Sequence, residues 1–136
     1  MNEGLMRRRV ADARVARLAT VRADGRPHVV PCCFAVEEDL IYTAVDEVKA
    51  KRSPKLARLE NIRRTPDVSF LVDEYVEDWS ALWWIRMDGH ARVAGPNSPE
   101  QRAASALLAE KYEQYRVAPP PGPVIVIEVT EWRAWP

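Results

Sequence analysis

The sequence predicts an α+β fold that is mostly β: a six-stranded, largely antiparallel barrel with flanking helices. Three observations carry that expectation. Short runs rich in β-branched and aromatic residues recur along the chain, separated by turn residues. Three other segments repeat their apolar residues at helical spacing. Strands and helices do not alternate in the β-α-β rhythm of a parallel sheet. With 136 residues, 47% of them hydrophobic and 29% charged, the chain has the size and make-up of one folded domain over residues 1–136.

From Asn2 to Asp12, Leu5, Met6 and Val10 recur at helical spacing among arginines, so a short amphipathic helix is predicted to cap one end of the barrel. Val15 to Val21 reads as the first strand. Arg22-Ala23-Asp24-Gly25-Arg26 supplies a turn with Asp-Gly at its centre, and Pro27 to Val36 returns as the second strand. After the polar turn Glu37-Glu38-Asp39, Leu40 to Ala44 forms a third. Pro54 suits a first helical turn, and Leu56, Leu59 and Ile62 make the stripe of a helix that ends at Thr65-Pro66 and is predicted to cross the barrel. Asp67 to Tyr75 and Leu82 to Val93 are the fourth and fifth strands. Ser98-Pro99-Glu100-Gln101 is a capping-box start to a third helix, stopped by the proline-rich stretch Ala118 to Pro123. The last strand opens on Val124-Ile125-Val126-Ile127, apolar enough to be buried on both faces.

Charge and motifs exclude several functions. Twenty basic residues balance twenty acidic ones, which leaves no overall field to attract a nucleic acid or an anionic membrane. No apolar run follows Arg7-Arg8-Arg9, so neither a signal peptide nor a transmembrane helix is predicted and a cytoplasmic location is expected. The only cysteines, Cys32 and Cys33, are adjacent and read as packing residues rather than a disulfide or a metal knuckle; no metal site is predicted. Gly-rich phosphate loops, Cys-x-x-Cys, His-Glu-x-x-His and Gly-x-Ser-x-Gly are all missing.

Three features remain that bear on chemistry. In Val48 to Lys55, the cations Lys49, Lys51, Arg52 and Lys55 gather before a helix start, where backbone amides and positive side chains suit a phosphate or carboxylate; a solvated loop is the competing reading. Trp79, Trp83 and Trp84 lie within six residues and could stack on a flat heterocycle, or fill a core or interface. Trp79, in a connection rather than a strand, is the better ligand-facing candidate. In His28-Val29-Val30-Pro31-Cys32-Cys33-Phe34, the proline removes a ladder donor and marks an edge or bulge, while His28, like His90, reads as a surface histidine.

Taken together, Arg17 to Pro31, Ile41-Tyr42-Thr43-Ala44, the basic segment Lys49 to Lys55, Leu59-Glu60-Asn61-Ile62 with Thr65 to Ser69, and Asp88-Gly89-His90-Ala91-Arg92-Val93 resemble the pyridoxamine 5'-phosphate oxidase-like family of FMN-binding split barrels. Asp78 to Trp84 is similar to its actinobacterial branch of deazaflavin-dependent enzymes. The resemblance implies a homodimer with two cofactor sites at the subunit interface. In each, Val30, Pro31 and Cys32 would lie beside the ring system, Thr43 and Ala44 along the ribityl chain, and Lys49, Lys51, Arg52 and Lys55 at the phosphate, with Trp79 lent by the other subunit. The implied activity is hydride transfer between the deazaflavin coenzyme F420 and a small unsaturated or imine substrate. FMN is the alternative cofactor, and a non-catalytic flavin- or haem-binding protein the alternative role. The excess of cations over what one phosphate needs favours F420, whose tail carries glutamate carboxylates. No catalytic residue is assigned; solvent, Tyr42 and His28 are the candidate proton donors. The arginine-containing C-terminal motif of the true oxidases is matched only faintly by Arg133-Ala134-Trp135-Pro136, so the oxidase reaction is not carried over.

Overall fold

The structure, a computed structural model, describes residues 1–45 and 54–136, the second stretch with side chains from residue 57 onward. Seven strands occur among the described residues: β1 (Ala16–Val21), β2 (Pro27–Cys32), β3 (Ala35–Glu37), β4 (Leu40–Ala44), β5 (Asp67–Glu74), β6 (Trp83–Ala94) and β7 (Val124–Trp135). The helices are α1 (Glu3–Asp12), α2 (Pro54–Arg64), α3 (Pro99–Lys111) and α4 (Glu113–Val117). No helix among the described residues is long and apolar enough to cross a membrane.

The second predicted strand is therefore two, and the count rises from six to seven. Its halves serve different partners: β2 pairs with β1, β3 with β4, all antiparallel. In the sheet order β2-β1-β5-β6-β7-β4-β3, these consecutive strands occupy opposite edges. Only Cys33 and Phe34 connect them, and three Cα steps span at most about 11 Å. The two edges must lie side by side, which forces the sheet to curl into a barrel, yet no ladder joins them. The barrel is split along this seam.

Burial follows the strand period. Ala16 and Leu18 of β1, Val68, Phe70 and Val72 of β5, and Trp83, Ile85, Met87 and Ala91 of β6 fill one core, with Phe34 edge-on to Phe70 at 5.1 Å between ring centroids. In β7 the parity changes midway. Ile125, Ile127 and Val129 face that core, but so do Trp132 and Ala134, because Thr130 is an extra residue opposite the Asp88–Gly89 step. At this bulge a Cβ on Gly89 would stand 2.2 Å from the Glu128 carbonyl oxygen, so the backbones meet closely only because residue 89 has no side chain.

The first half of β7 is buried on both faces, as its apolar run predicts. Val124 and Val126 pack outward with Tyr42 and Ala44 beneath Ala104 and Leu108 of α3. Ser98 caps α3 by accepting from the Gln101 amide at 3.1 Å, but the capping box is one-sided. The Gln101 side chain is drawn instead to the proline-rich stretch, donating to the carbonyls of Pro120 (3.1 Å) and Gly122 (3.0 Å).

A short fourth helix, which the sequence pattern did not predict, follows because Tyr112 leaves helical geometry (φ −116°, ψ 126°). Its hydroxyl accepts from the Phe34 amide (3.0 Å) and lies within hydrogen-bond reach of the Phe34 (3.1 Å) and Arg14 (2.9 Å) carbonyls, tying α3 to the seam. Beside it the Lys111 ammonium sits 3.9 Å from the Phe34 ring centroid, and burial pushes its pKa down to about 8.

α2 crosses the barrel as predicted. Leu59 and Ile62 enter the core, and the buried Asn61 donates to the Thr20 hydroxyl at 3.0 Å. On the other side Arg7 of α1 bonds Asp39 (2.8 Å) and lies 4.5 Å from the Trp132 ring centroid, clipping α1 to β7.

The bulge makes one substitution costly. Gly89→Ala is expected to destabilise the chain by about 3 kcal/mol or more, since the clash is with backbone that cannot rotate away. Urea unfolding followed by circular dichroism measures the loss.

Candidate functional site

The inner face of β2 is set by its register on β1. Cys32, Val30 and His28 stand opposite Ala16, Leu18 and Thr20, all buried inward, so these three share the inward face of an edge strand while Pro27, Val29 and Pro31 face out. Val30 and Cys32 are partly buried against the core. Pro31, predicted beside them, is exposed on the opposite face, where period-two geometry puts it.

The β4 pair divides in the same way. Thr43 is fully buried and donates through Oγ1 to the Cys33 carbonyl at 2.8 Å, closing the seam near Cys32. Ala44 points to the other side, into the cluster beneath α3, and Tyr42 is buried there too. Neither side chain lies on the inward face that carries Val30 and Cys32. Lys49, Lys51 and Arg52 fall outside the described residues; Lys55 lies in the first turn of α2, its side chain likewise outside them. Trp79 sits in a 3-10 turn, Trp79–Ala81, between β5 and β6. It is 68% exposed and donates from Nε1 to the Tyr75 hydroxyl at 3.3 Å.

Two further residues gain a defined environment: His28, read from the sequence as a surface histidine and candidate proton donor, and Arg58, which trails the basic segment. His28 Nδ1 and Arg58 Nε are both shut off from solvent without a hydrogen-bond partner among the described residues. They belong to one electrostatic neighbourhood. His28 is held below its ordinary pKa by burial first, then by Arg22 and Arg58. The Cys32 thiol is pushed up to about 11, chiefly by burial, against the opposing influence of its Thr43 hydrogen bond and of Arg58. Cys32 is thus a protonated packing group at neutral pH, not a thiolate nucleophile.

A buried guanidinium nitrogen without a partner calls for an anionic or strongly accepting oxygen. The neutral imidazole of His28 offers one donor and one acceptor. Val30 and Cys32 on one face of β2, with His28 Nδ1 and Arg58 Nε lacking partners among the described residues, would suit a flat, partly apolar ligand carrying an anion. The signal for both residues was present in the sequence. His28 alternates with Val30 and Cys32, and Arg58 follows Lys55 by one helical turn. Among the described residues no group of three or more His, Cys, Asp or Glu side chains could hold a metal ion.

The His28 environment can be read directly. Its imidazole is expected to titrate below 6.5, and Arg58→Met to move that midpoint part of the way back, as followed by the ring proton resonances. Because the unfolded chain holds the His28 proton to higher pH than the folded one, this group should make stability rise with pH up to about 6.5 and add no slope above it.

The fold recurs widely. The conserved hypothetical protein Rv2991 from Mycobacterium tuberculosis superposes with a TM-score of 0.79 at 22% identity, over 99% of this chain and 84% of that one. HutZ, the haem storage protein of Vibrio cholerae, gives 0.74 at 17% identity over 98% and 92%. An FAD-binding protein from Mycobacterium smegmatis gives 0.64 at 16% over 99% and 94%. At such identities the likeness is one of fold. The sequence matches no curated protein. The family model described as pyridoxamine 5'-phosphate oxidase, however, matches residues 3–136, and with the seamed antiparallel barrel it identifies this chain as a member of the pyridoxamine 5'-phosphate oxidase family.

Proposed function

We propose that the chain binds a flavin-type cofactor where the inner face of β2 meets α2, and serves as an oxidoreductase of small unsaturated or imine substrates with the deazaflavin coenzyme F420. The observation that carries this reading is the pair of buried groups His28 Nδ1 and Arg58 Nε, without partners among the described residues, near Val30 and Cys32. Leaving each unpaired costs about 1–3 kcal/mol, which a ligand supplying the missing partners recovers. Arg58 would hold an anionic oxygen of the cofactor, and the strand residues would pack against its ring. Lys49, Lys51, Arg52 and Lys55, adjoining Arg58 in sequence, offer more positive charge than a single phosphate requires, which favours the longer anionic tail of F420 over FMN. When bound, the cofactor supplies the hydride; the chain supplies position, charge and exclusion of water.

The working unit in this proposal is a homodimer. The outer face of β1 and β2 supports it: Val29 is 60% exposed there, flanked by Pro27 and Pro31 on its own strand and paired with Ala19 of β1. Trp79 would be lent across the interface.

A second reading has its own observation. A neutral histidine with an unpartnered ring nitrogen is the chemistry of a haem ligand, and His28 meets that description. HutZ, of the same fold, is a haem storage protein.

Parallel titrations of the purified protein with F420, FMN and haemin, read by tryptophan quenching, separate these readings. Micromolar or tighter F420 binding is expected, with FMN at least about tenfold weaker, and Lys51→Ala with Lys55→Ala should weaken F420 by a similar factor while leaving the melting temperature unchanged. FMN binding in preference to F420 moves the protein to the flavin enzymes. A haem absorbance band lost in His28→Ala establishes the haem reading. Sedimentation should show a dimer, and a stable monomer would overturn the shared site.

A further inference from the structure

Away from the seam, the outer face of the sheet carries a row of side chains running across three strands. Asp73 of β5 stands opposite Trp84 of β6, which in turn stands opposite Trp135 of β7. Directly paired residues on one face hold their Cβ atoms about 5 Å apart, so a carboxylate and two indoles form one continuous strip. They line a cavity of about 270 Å³ with Glu74, Tyr75 and the edge of Trp83.

Two properties distinguish this strip from ordinary surface. Its aromatic residues are exposed, with Tyr75 at 63%, Trp135 at 49% and Trp84 at 37%, whereas large aromatic side chains are normally withdrawn from water unless they meet a partner. Its charge is mostly of one sign: Asp73 and Glu74 line the cavity and no lysine or arginine among the described residues does, although Arg17 reaches the Asp73 carboxylate from outside it at 3.7 Å. Arg86 and Arg133 occupy the next row of the same face, but each is tied to an acid two residues along its own strand, Arg86 to Asp88 at 3.1 Å and Arg133 to Glu131 at 2.5 Å. The chain also shows what an indole at this end attracts. The guanidinium of Arg9 lies 4.8 Å from the ring centroid of Trp83.

We propose that this cavity binds a small organic cation bearing a trimethylammonium or similar alkylammonium group. The indole faces and the Tyr75 ring supply negative quadrupoles, and Asp73 and Glu74 supply the counter-charge. A weakly hydrated ammonium ion with methyl groups satisfies both demands, buries apolar surface and needs no hydrogen-bond donor from the wall. An anionic ligand of the same shape would meet the Glu74 carboxylate, and an Asp73 only partly offset by the half-exposed Arg17, with nothing in return. The proposal does not rest on the cofactor reading: none of these residues belongs to the β2–α2 site, although Tyr75 accepts from Trp79, which that reading lends to the other subunit.

Choline and its uncharged isostere, in which carbon replaces the nitrogen, provide the test by isothermal titration of the protein in its native oligomeric state. Choline should bind saturably, at least about fivefold more tightly than the isostere, and Trp135→Leu and Asp73→Asn should each weaken it by about fivefold. Unchanged melting temperatures in both variants keep a loss of binding from being a loss of fold, and Trp84→Leu serves as a further variant if either melts early. Equal affinity for choline and its isostere, no binding of choline, or affinity indifferent to Trp135→Leu would overturn the proposal.

Discussion

The architecture depends on the hydrogen bonds made by one hydroxyl group. The seam between β2 and β3 leaves two strand edges side by side without a ladder, and the chain crosses it through Cys33 and Phe34, whose backbone groups have no strand to pair with. Tyr112 meets that need from α3, with its Oη on both the amide and the carbonyl of Phe34 and on the carbonyl of Arg14 at the start of β1. Thr43 does the same for the Cys33 carbonyl. A buried backbone group without a partner costs about as much as a lost hydrogen bond, so the crossing is tolerable only because side chains from two other elements close it.

Leaving the seam unpaired has a chemical consequence. The inward face of an edge strand need not be sealed by a neighbouring strand, so β2 can offer His28, Val30 and Cys32 to whatever lies between it and α2. The core on one side is dry and tightly filled, and α2 is fixed over it by Leu59, Ile62 and the Asn61–Thr20 hydrogen bond. Arg58, on the same helix, is thereby held in a place where its charge is felt by both His28 and Cys32. Rigid support from the core and unpaired polar groups at its margin are what a binding site needs, and in the site proposed above both would come from one strand and one helix.

Much of this was legible in the sequence, and what was not has physical reasons. Asp24-Gly25 gave the β1–β2 turn because residue 25 adopts φ 87°, and the apolar stripe of α2 gave its burial. Pro31 correctly marked an edge strand. The break at Cys33 was hidden because it depends on which distant strands β2 and β3 pair with, and both halves keep the same apolar character. The extra residue at Thr130 was hidden for a similar reason: a bulge changes which side chains face inward without changing composition. For the site, the family resemblance put Pro31 and Ala44 next to Val30 and Thr43. Adjacent strand residues point opposite ways, and that alternation separates each pair. The same alternation, applied from Val30 and Cys32, reaches His28.

The two prolines of β2 also govern how the protein behaves in a crowd. Within a paired strand, proline is accommodated where its missing N–H would have pointed away from the partner, so at Pro27 and Pro31 the open edge lacks donors that an incoming strand would need. The barrel therefore keeps an unpaired edge without offering a template for ordered aggregation. The seam resists being extended strand by strand into a fibril.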